Sequence, residues 1–227
     1  MRHIALLFFS ALPLLAGFFP ATVTTTVAKA DKESITLAHP LPVNGMSGVV
    51  IHNFGGKLQA VTGYIEQLDN QGKATLLLKD AMPHEKLPSI KTPIQPGDSV
   101  IGGYLYDRVL LMAPDAANYE ALIQRYDRQW VHPDLFATYL ADNGEEKPTK
   151  ENLKAFARAY QIGLICIVKR DQTILLDPLS GKVVSSSAHA PVTAEANYPF
   201  YRRLKPLEHG LFSSEAEGDY YNMVEEL

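Results

Sequence analysis

Short apolar runs separated by turn residues dominate the chain between Ser47 and Met112. Gly55-Gly56, Asn70-Gln71-Gly72 and Pro96-Gly97-Asp98 separate these runs. Strand-like runs at this spacing predict a small antiparallel β-barrel or sandwich. In order, they are SGVVIHNF, LQAVTGYIEQL, ATLLLKD, SVIGGYLY and RVLLMAP. The proline-rich stretch 82–98 cannot be a central strand, so we expect it on the surface of the barrel.

Helical periodicity replaces the strand pattern at Asp115, which we expect to cap a first helix. A second helix begins at Pro133 and ends before Asn143-Gly144, and a third begins at Thr149. The apolar stripe of the first helix consists of Tyr119, Leu122, Ile123, Tyr126 and Trp130. The sequence therefore predicts about three helices after the β-rich part.

Three apolar runs joined by tight turns follow the third helix and predict a three-stranded β-meander. They are GLICIV, TILLD and KVVSS. The predicted fold class is α+β, with a β-rich barrel-like domain over residues 31–113 and a helical plus β-meander domain over residues 114–186. Residues 187–227 are expected to form a loosely attached acidic C-terminal tail, in which YPFYRRL, residues 198–204, is suited to dock on the body.

The first 30 residues have the features of a secretory signal peptide. An apolar run extends from Ile4 to Phe19, and Ala28-Lys29-Ala30 offers a small-x-small cleavage site. The run is short for a membrane span and is interrupted by Pro13 and Gly17. We expect cleavage after Ala30, and a retained N-terminal anchor is the alternative. The mature chain would be exported to the periplasm or the cell surface, without a membrane span.

The net charge argues against one class of function, and the cysteine content indicates how the fold is held together. Cleavage after Ala30 removes Arg2 and Lys29, so 19 of the 21 basic residues remain against 25 acidic ones, a net charge of −6. This balance, with no basic run longer than two residues, argues against nucleic-acid binding. The chain has a single cysteine, Cys166, so we expect its apolar core to hold the fold without an intramolecular disulfide.

The stretch WVHPDLF, residues 130–136, has two interpretations. As a helix start, it places Pro133 at the first helical position and Asp134 in the first turn. As a hydrolase site around His132, it would need a partner group that the sequence does not indicate. The histidines are isolated and lack metal-ligand spacing. We therefore expect no enzymatic activity, no metal and no other cofactor.

Five stretches in sequence order resemble a bacterial family. They are GVVIHNF (48–54), PGDSVIGGYLYDRVLLMAP (96–114), HPDLFATYL (132–140), TKENLKAF (149–156) and QIGLICIV (161–168). In this order, the chain resembles the N-terminal region of the plasminogen-binding proteins PgbA and PgbB over about residues 35–186. The resemblance implies an exported, non-enzymatic protein of the cell envelope or surface that captures host plasminogen through lysines at the C-terminal end of a longer chain. A kringle's lysine site pairs an ammonium with acids and a carboxylate with basic groups, between aromatic rings.

The chain departs from that pattern because its last residues are Glu225-Glu226-Leu227 and its last lysine is Lys205. An internal lysine near acids, such as Lys147 beside Glu145 and Glu146, could imitate the terminal one weakly, although such pairs occur on most protein surfaces. Alternatively, the protein is a structural component of a periplasmic or envelope assembly, and its tail docks on a partner through Tyr220, Tyr221 and Met223. The expected partner is a protein, either host plasminogen or an envelope protein.

Overall fold

The computed structural model describes residues 17–31, 34–78, 92–188, 196–204 and 218–227. Within these residues, six strands form a closed barrel, five strands form a second sheet, and four helices accompany that sheet. The predicted α+β class with an N-terminal β-barrel is therefore confirmed. Most of the proline-rich stretch 82–98 lies outside the described residues.

All neighbouring strands of the barrel are antiparallel. Its strands are β1 (Val23–Ala30), β2 (Ile35–Leu37), β3 (Ser47–Gly55), β4 (Leu58–Gln67), β5 (Lys73–Leu78) and β6 (Ser99–Gly102). Around the barrel they follow the order β1-β2-β5-β4-β3-β6, and β1 closes the ring by pairing with β6. Alternating side chains fill its interior, as expected for strands with one buried face, among them Val27, Ile35, Val50, Ile65 and Val100.

Gly102 permits the close approach of the loop that seals the barrel. A Cβ atom built on Gly102 would lie 2.5 Å from Cδ2 of Leu41, a buried side chain of the loop between β2 and β3. The next residue, Gly103, has a φ of 68°, which favours glycine, and the chain leaves the barrel there. This glycine pair therefore serves packing and a change of chain direction.

The structure moves the start of the barrel domain from the predicted residue 31 back to Val23. Residues 1–16 of the predicted signal peptide lie outside the described residues. Residues 23–30, however, form β1, in which Val23 pairs with Gly102 and Val27 pairs with Leu37. Cleavage after Ala30 would remove this strand from the barrel, because the small-x-small sequence Ala28-Lys29-Ala30 forms the end of β1.

The second sheet combines the predicted meander with two parallel strands. Its strands are β7 (Arg108–Met112), β8 (Gln129–Val131), β9 (Leu164–Val168), β10 (Gln172–Asp177) and β11 (Lys182–Ala188), in the order β11-β10-β9-β7-β8. The antiparallel meander β9-β10-β11 is present as predicted. The prediction that residues 108–113 belong to the barrel is corrected, because β7 pairs in parallel with β8 and β9 of the second sheet. The domain boundary therefore lies before Arg108 and not at residue 113.

The helices are α1 (Ala116–Arg125), α2 (Pro133–Asp142), α3 (Lys150–Tyr160) and α4 (Tyr220–Glu225). Asp115 caps α1, and Thr149 forms a capping box with Asn152 at the start of α3. The prediction that Trp130 belongs to the apolar stripe of α1 is wrong, because the helix ends at Arg125 and Trp130 lies in β8. None of the helices in the described residues is long and apolar enough to cross a membrane.

The described part of the predicted tail is packed on the body, which corrects its description as loosely attached. Phe200 is fully buried, and the N–H of Tyr201 donates to the carbonyl oxygen of Ala113. The docking predicted for residues 198–204 is thus observed. The helix α4, which the sequence did not predict, completes the second core with Tyr220 and Val224. Residues 189–195 and 205–217 lie outside the described residues.

Asp177, at the end of β10, joins the second sheet to the barrel. Its fully buried carboxylate accepts hydrogen bonds through Oδ2 from the N–H of Ser47 at 2.8 Å and from the hydroxyl of Tyr106 at 2.7 Å. Through Oδ1 it accepts from the N–H groups of Leu179 and Ser180. Four donors on an acceptor-only group satisfy its buried oxygens and fix β3 against the β10–β11 turn.

Candidate functional site

His132 is used at the start of α2, as the helix-start interpretation of WVHPDLF predicts. Pro133 occupies the first turn, and Nδ1 of His132 accepts a hydrogen bond from the N–H of Asp134 at 3.1 Å. The imidazole ring lies against the rings of Tyr119 and Tyr201. Its Nε2 is buried, and no group of the described residues forms a hydrogen bond with it. These contacts account for His132 as a helix cap packed on aromatic rings.

The cap makes stability depend on pH. Burial lowers the pKa of His132, an effect that Asp134 opposes and Arg203 reinforces. Because the folded protein favours neutral histidine, the stability that this group supports is complete above its ordinary pKa of about 6.5 and falls as the pH decreases through that value. Urea denaturation should show that the free energy of unfolding decreases less between about pH 7.5 and about pH 5.5 for His132→Asn than for the wild type. The variant keeps a capping oxygen but has no imidazole to protonate. Equal losses in the two proteins would contradict this assignment.

The three tail residues proposed as partner contacts are buried inside the chain. Tyr220, Met223 and Tyr221 are 1%, 5% and 8% exposed. The Tyr220 hydroxyl lies 2.8 Å from the carbonyl oxygen of Val168 and 3.0 Å from that of Met112, at adjacent ends of β9 and β7. This corrects the docking interpretation of the tail, because these side chains contact the protein's own core.

Lys147 forms its ion pair with the C-terminal helix and not with its sequence neighbours. Its Nζ lies 3.7 Å from Oε2 of Glu226, with both side chains largely exposed. A similar contact, at 3.5 Å, joins Lys169 to Glu225. The exposed Lys147 pair contributes little stability, whereas the ammonium of the second pair belongs to a buried lysine, Lys169. Both ammonium groups have a partner within the protein. The ammonium of Lys147 is therefore already paired within the protein.

One cleft in the described part of the chain is small for a ligand site. A cleft of about 180 Å³ lies between the barrel and α3, with Tyr64, Tyr104, Arg158 and Gln161 in its wall. Pockets that enclose drug-sized ligands usually measure about 300 to 1,000 Å³, so this cleft is small for such a role. Throughout the residues that the structure describes, no cluster of three or more His, Cys, Asp or Glu side chains could hold a metal ion.

The outer end of the β3–β4 hairpin, residues 52–60, projects from the barrel, and we call it the hairpin tip. Among the residues that the structure describes, the neighbouring strand β6 pairs with β3 from Gly48 to Ile51, and β5 pairs with β4 from Tyr64 to Gln67. Beyond these positions, the two strands pair with each other within the described residues. Every residue from 53 to 59 is exposed. The tip is thus a two-stranded hairpin end whose residues 53–59 are all exposed.

The hairpin tip carries a cation between large apolar side chains. Phe54 is 43% exposed and Leu58 is 65% exposed, and Lys57 lies between them in sequence. At the base of the tip, Nδ1 of His52 lies 2.6 Å from Oδ1 of Asp98, and the ring of Phe54 packs edge to face on His52 at 4.7 Å. Phe54 and Leu58 are both exposed enough to contact another protein. Sequence reasoning identified the turn at Gly55-Gly56 but did not select Lys57.

Comparison with known proteins gives one match. A family model described as plasminogen-binding protein pgbA N-terminal matches residues 22–227. The match begins next to β1 and includes α4, so it covers both the barrel and the second sheet. No curated protein and no solved structure matches the chain.

Proposed function

Because the chain belongs to the plasminogen-binding protein pgbA N-terminal family, we propose that it is an exported, non-enzymatic binding protein of the bacterial cell envelope. Its proposed partner is a protein, with host plasminogen as the first candidate. The observation that carries this proposal is the family match, which extends over almost the whole described chain. Contact through surface side chains, without chemical conversion of the partner, is the proposed mode of action.

Structural details support the non-enzymatic part of the proposal. His132, the residue around which a hydrolase site was considered, serves as a helix cap against two tyrosine rings. The buried thiol of Cys166 has a pKa raised by burial, which disfavours the reactive thiolate. Both groups are therefore explained by folding.

Export to the periplasm or cell surface is supported by the apolar run from Ile4 to Phe19. The alternative role, as a scaffold component that docks through the acidic tail, loses its support because Tyr220, Tyr221 and Met223 are buried. The surface that remains available for a partner includes the hairpin tip, with Phe54 and Leu58 exposed. A binding protein is thus the better-supported role.

Plasminogen binding can be measured directly on the immobilised full chain. We expect saturable binding that a soluble lysine analogue abolishes, because the analogue occupies the kringle site that would receive a lysine. Pretreatment of the chain with a carboxypeptidase specific for terminal lysines is the control, since it leaves internal lysines intact. Binding that persists at saturating analogue would contradict the lysine-dependent mode, and absence of binding would remove plasminogen as the partner.

A further inference from the structure

We propose that the hairpin tip presents Lys57 as the cation that enters an acidic, aromatic-lined pocket of the partner protein. This inference rests on the proposed function and names the contact that would carry it out. The tip combines three properties that such a contact requires, namely an unpaired ammonium, a projecting backbone and apolar flanks.

The charge of Lys57 is isolated. No Asp or Glu lies between Glu33 and Glu66 in the sequence, and Lys57 is the sole Lys or Arg in that interval. Within the described residues, Lys57 forms no salt bridge, whereas Lys147 and Lys169 contact glutamates of α4. An ammonium without an intramolecular partner can meet a carboxylate of another protein without first breaking an ion pair.

The backbone of the tip suits insertion into a concave site. Gly55 and Gly56 form its turn with φ values of 102° and 61°, and a Cβ atom built on either residue would contact nothing within 4 Å. The turn is therefore narrow and open on all sides. The contact between His52 and Asp98 braces the base of the tip, which limits the conformational entropy lost on binding.

The flanking side chains would strengthen the charged contact. Phe54 and Leu58 expose apolar surface on either side of Lys57 along the chain. When such groups pack on the aromatic rim of a pocket, they exclude water from the ion pair at its centre. The side chain of Lys57 has an aliphatic stem that can lie along the rings while its ammonium reaches the acid.

The chemistry of the tip favours a protein pocket over an extended anionic surface. A membrane or a nucleic acid attracts clusters of basic residues, and each lysine near an anionic membrane contributes only about 1 kcal/mol. The tip carries one Lys and no Arg. A single cation with apolar neighbours is selective when it enters a pocket that surrounds it, as a kringle's lysine site does.

The test compares plasminogen binding by the full-length wild type, Lys57→Ala and Lys150→Ala. Lys150 is an exposed lysine at the start of α3, far along the chain from the tip, and serves as the matched control. We expect Lys57→Ala to weaken binding by about tenfold or more, Leu58→Ala to weaken it by a smaller factor, and Lys150→Ala to leave it unchanged. Because these side chains are exposed, all variants should keep the wild-type circular dichroism spectrum and urea midpoint.

The outcomes separate the two proposals. Wild-type binding that Lys57→Ala does not weaken would overturn the role of the hairpin tip and leave the proposed function in place. If the wild type does not bind plasminogen, the proposed partner is refuted and the role of Lys57 falls with it. Equal weakening by Lys57→Ala and Lys150→Ala would also overturn the inference, because it would show a general charge effect.

Discussion

Replacing Tyr220 with alanine should lower the free energy of unfolding by about 4 kcal/mol. The ring is 1% exposed and lies in the core between the second sheet and its helices, so its removal leaves a large cavity. The substitution also removes the hydroxyl that lies between the carbonyl oxygens of Met112 and Val168. Urea denaturation followed by circular dichroism measures the change.

Two further variants divide this effect into its parts. Tyr220→Phe keeps the ring and should lower the free energy of unfolding by about 1 to 2 kcal/mol, because it removes only the hydroxyl. Tyr104→Ala removes an aromatic ring that is 49% exposed and should change stability by less than about 1 kcal/mol. A loss for Tyr220→Ala no larger than that for Tyr104→Ala would show that α4 does not seal the core.

Replacing Asp177 with alanine should lower the free energy of unfolding by about 3 to 5 kcal/mol. The carboxylate is fully buried and accepts four hydrogen bonds, including those from Ser47 and Tyr106. Without it, these donors remain buried without their acceptor, which costs more than the net value of the bonds themselves. The free energy of unfolding from urea titration is again the measurement.

A double-mutant cycle tests whether Asp177 acts through Tyr106. Tyr106→Phe alone should destabilise the fold, but in an Asp177→Ala background it should have much less effect, because the phenol has already lost its acceptor. The exposed residue Asp171, in the turn after β9, provides the control substitution Asp171→Ala, which should be nearly neutral. Strict additivity of the two substitutions would show that they are not coupled.

The sequence predicted elements whose signals are local. Asp115, Thr149 and Pro133 all occupy the helix starts that their side-chain chemistry indicates. A small antiparallel barrel or sandwich was predicted for a similar reason, because turn residues separate the strand-like runs. Local hydrogen bonds and turn geometry suffice to place these elements.

The errors occurred where distant parts of the chain decide the structure. The residues of β7 from Val109 to Met112 are all buried, and a continuous apolar run does not tell which sheet receives it. A helix as short as α4 is not stable alone, so it depends on packing against strands far away in sequence. The periodicity that included Trp130 continued past the end of α1 into β8.

The same limit applies to the candidate site. Gly55-Gly56 predicted a turn from sequence alone, and the absence of acidic residues around Lys57 was visible there too. The exposure of the tip, however, depends on where the pairing of this hairpin with β5 and β6 ends among the described residues. Exposure of Phe54 and Leu58 is therefore a property of the assembled barrel and not of their own sequence.

The pairing of Val23 with Gly102 also bears on the order in which the protein folds. In a chain that emerges N-terminus first, β1 can pair with β2 early, but its other edge stays unpaired until β6 follows roughly eighty residues later. Closure of the barrel is therefore a late and slow step. During that interval both edges of the nascent sheet can pair with other chains. Chaperone protection should therefore matter most before β6 emerges.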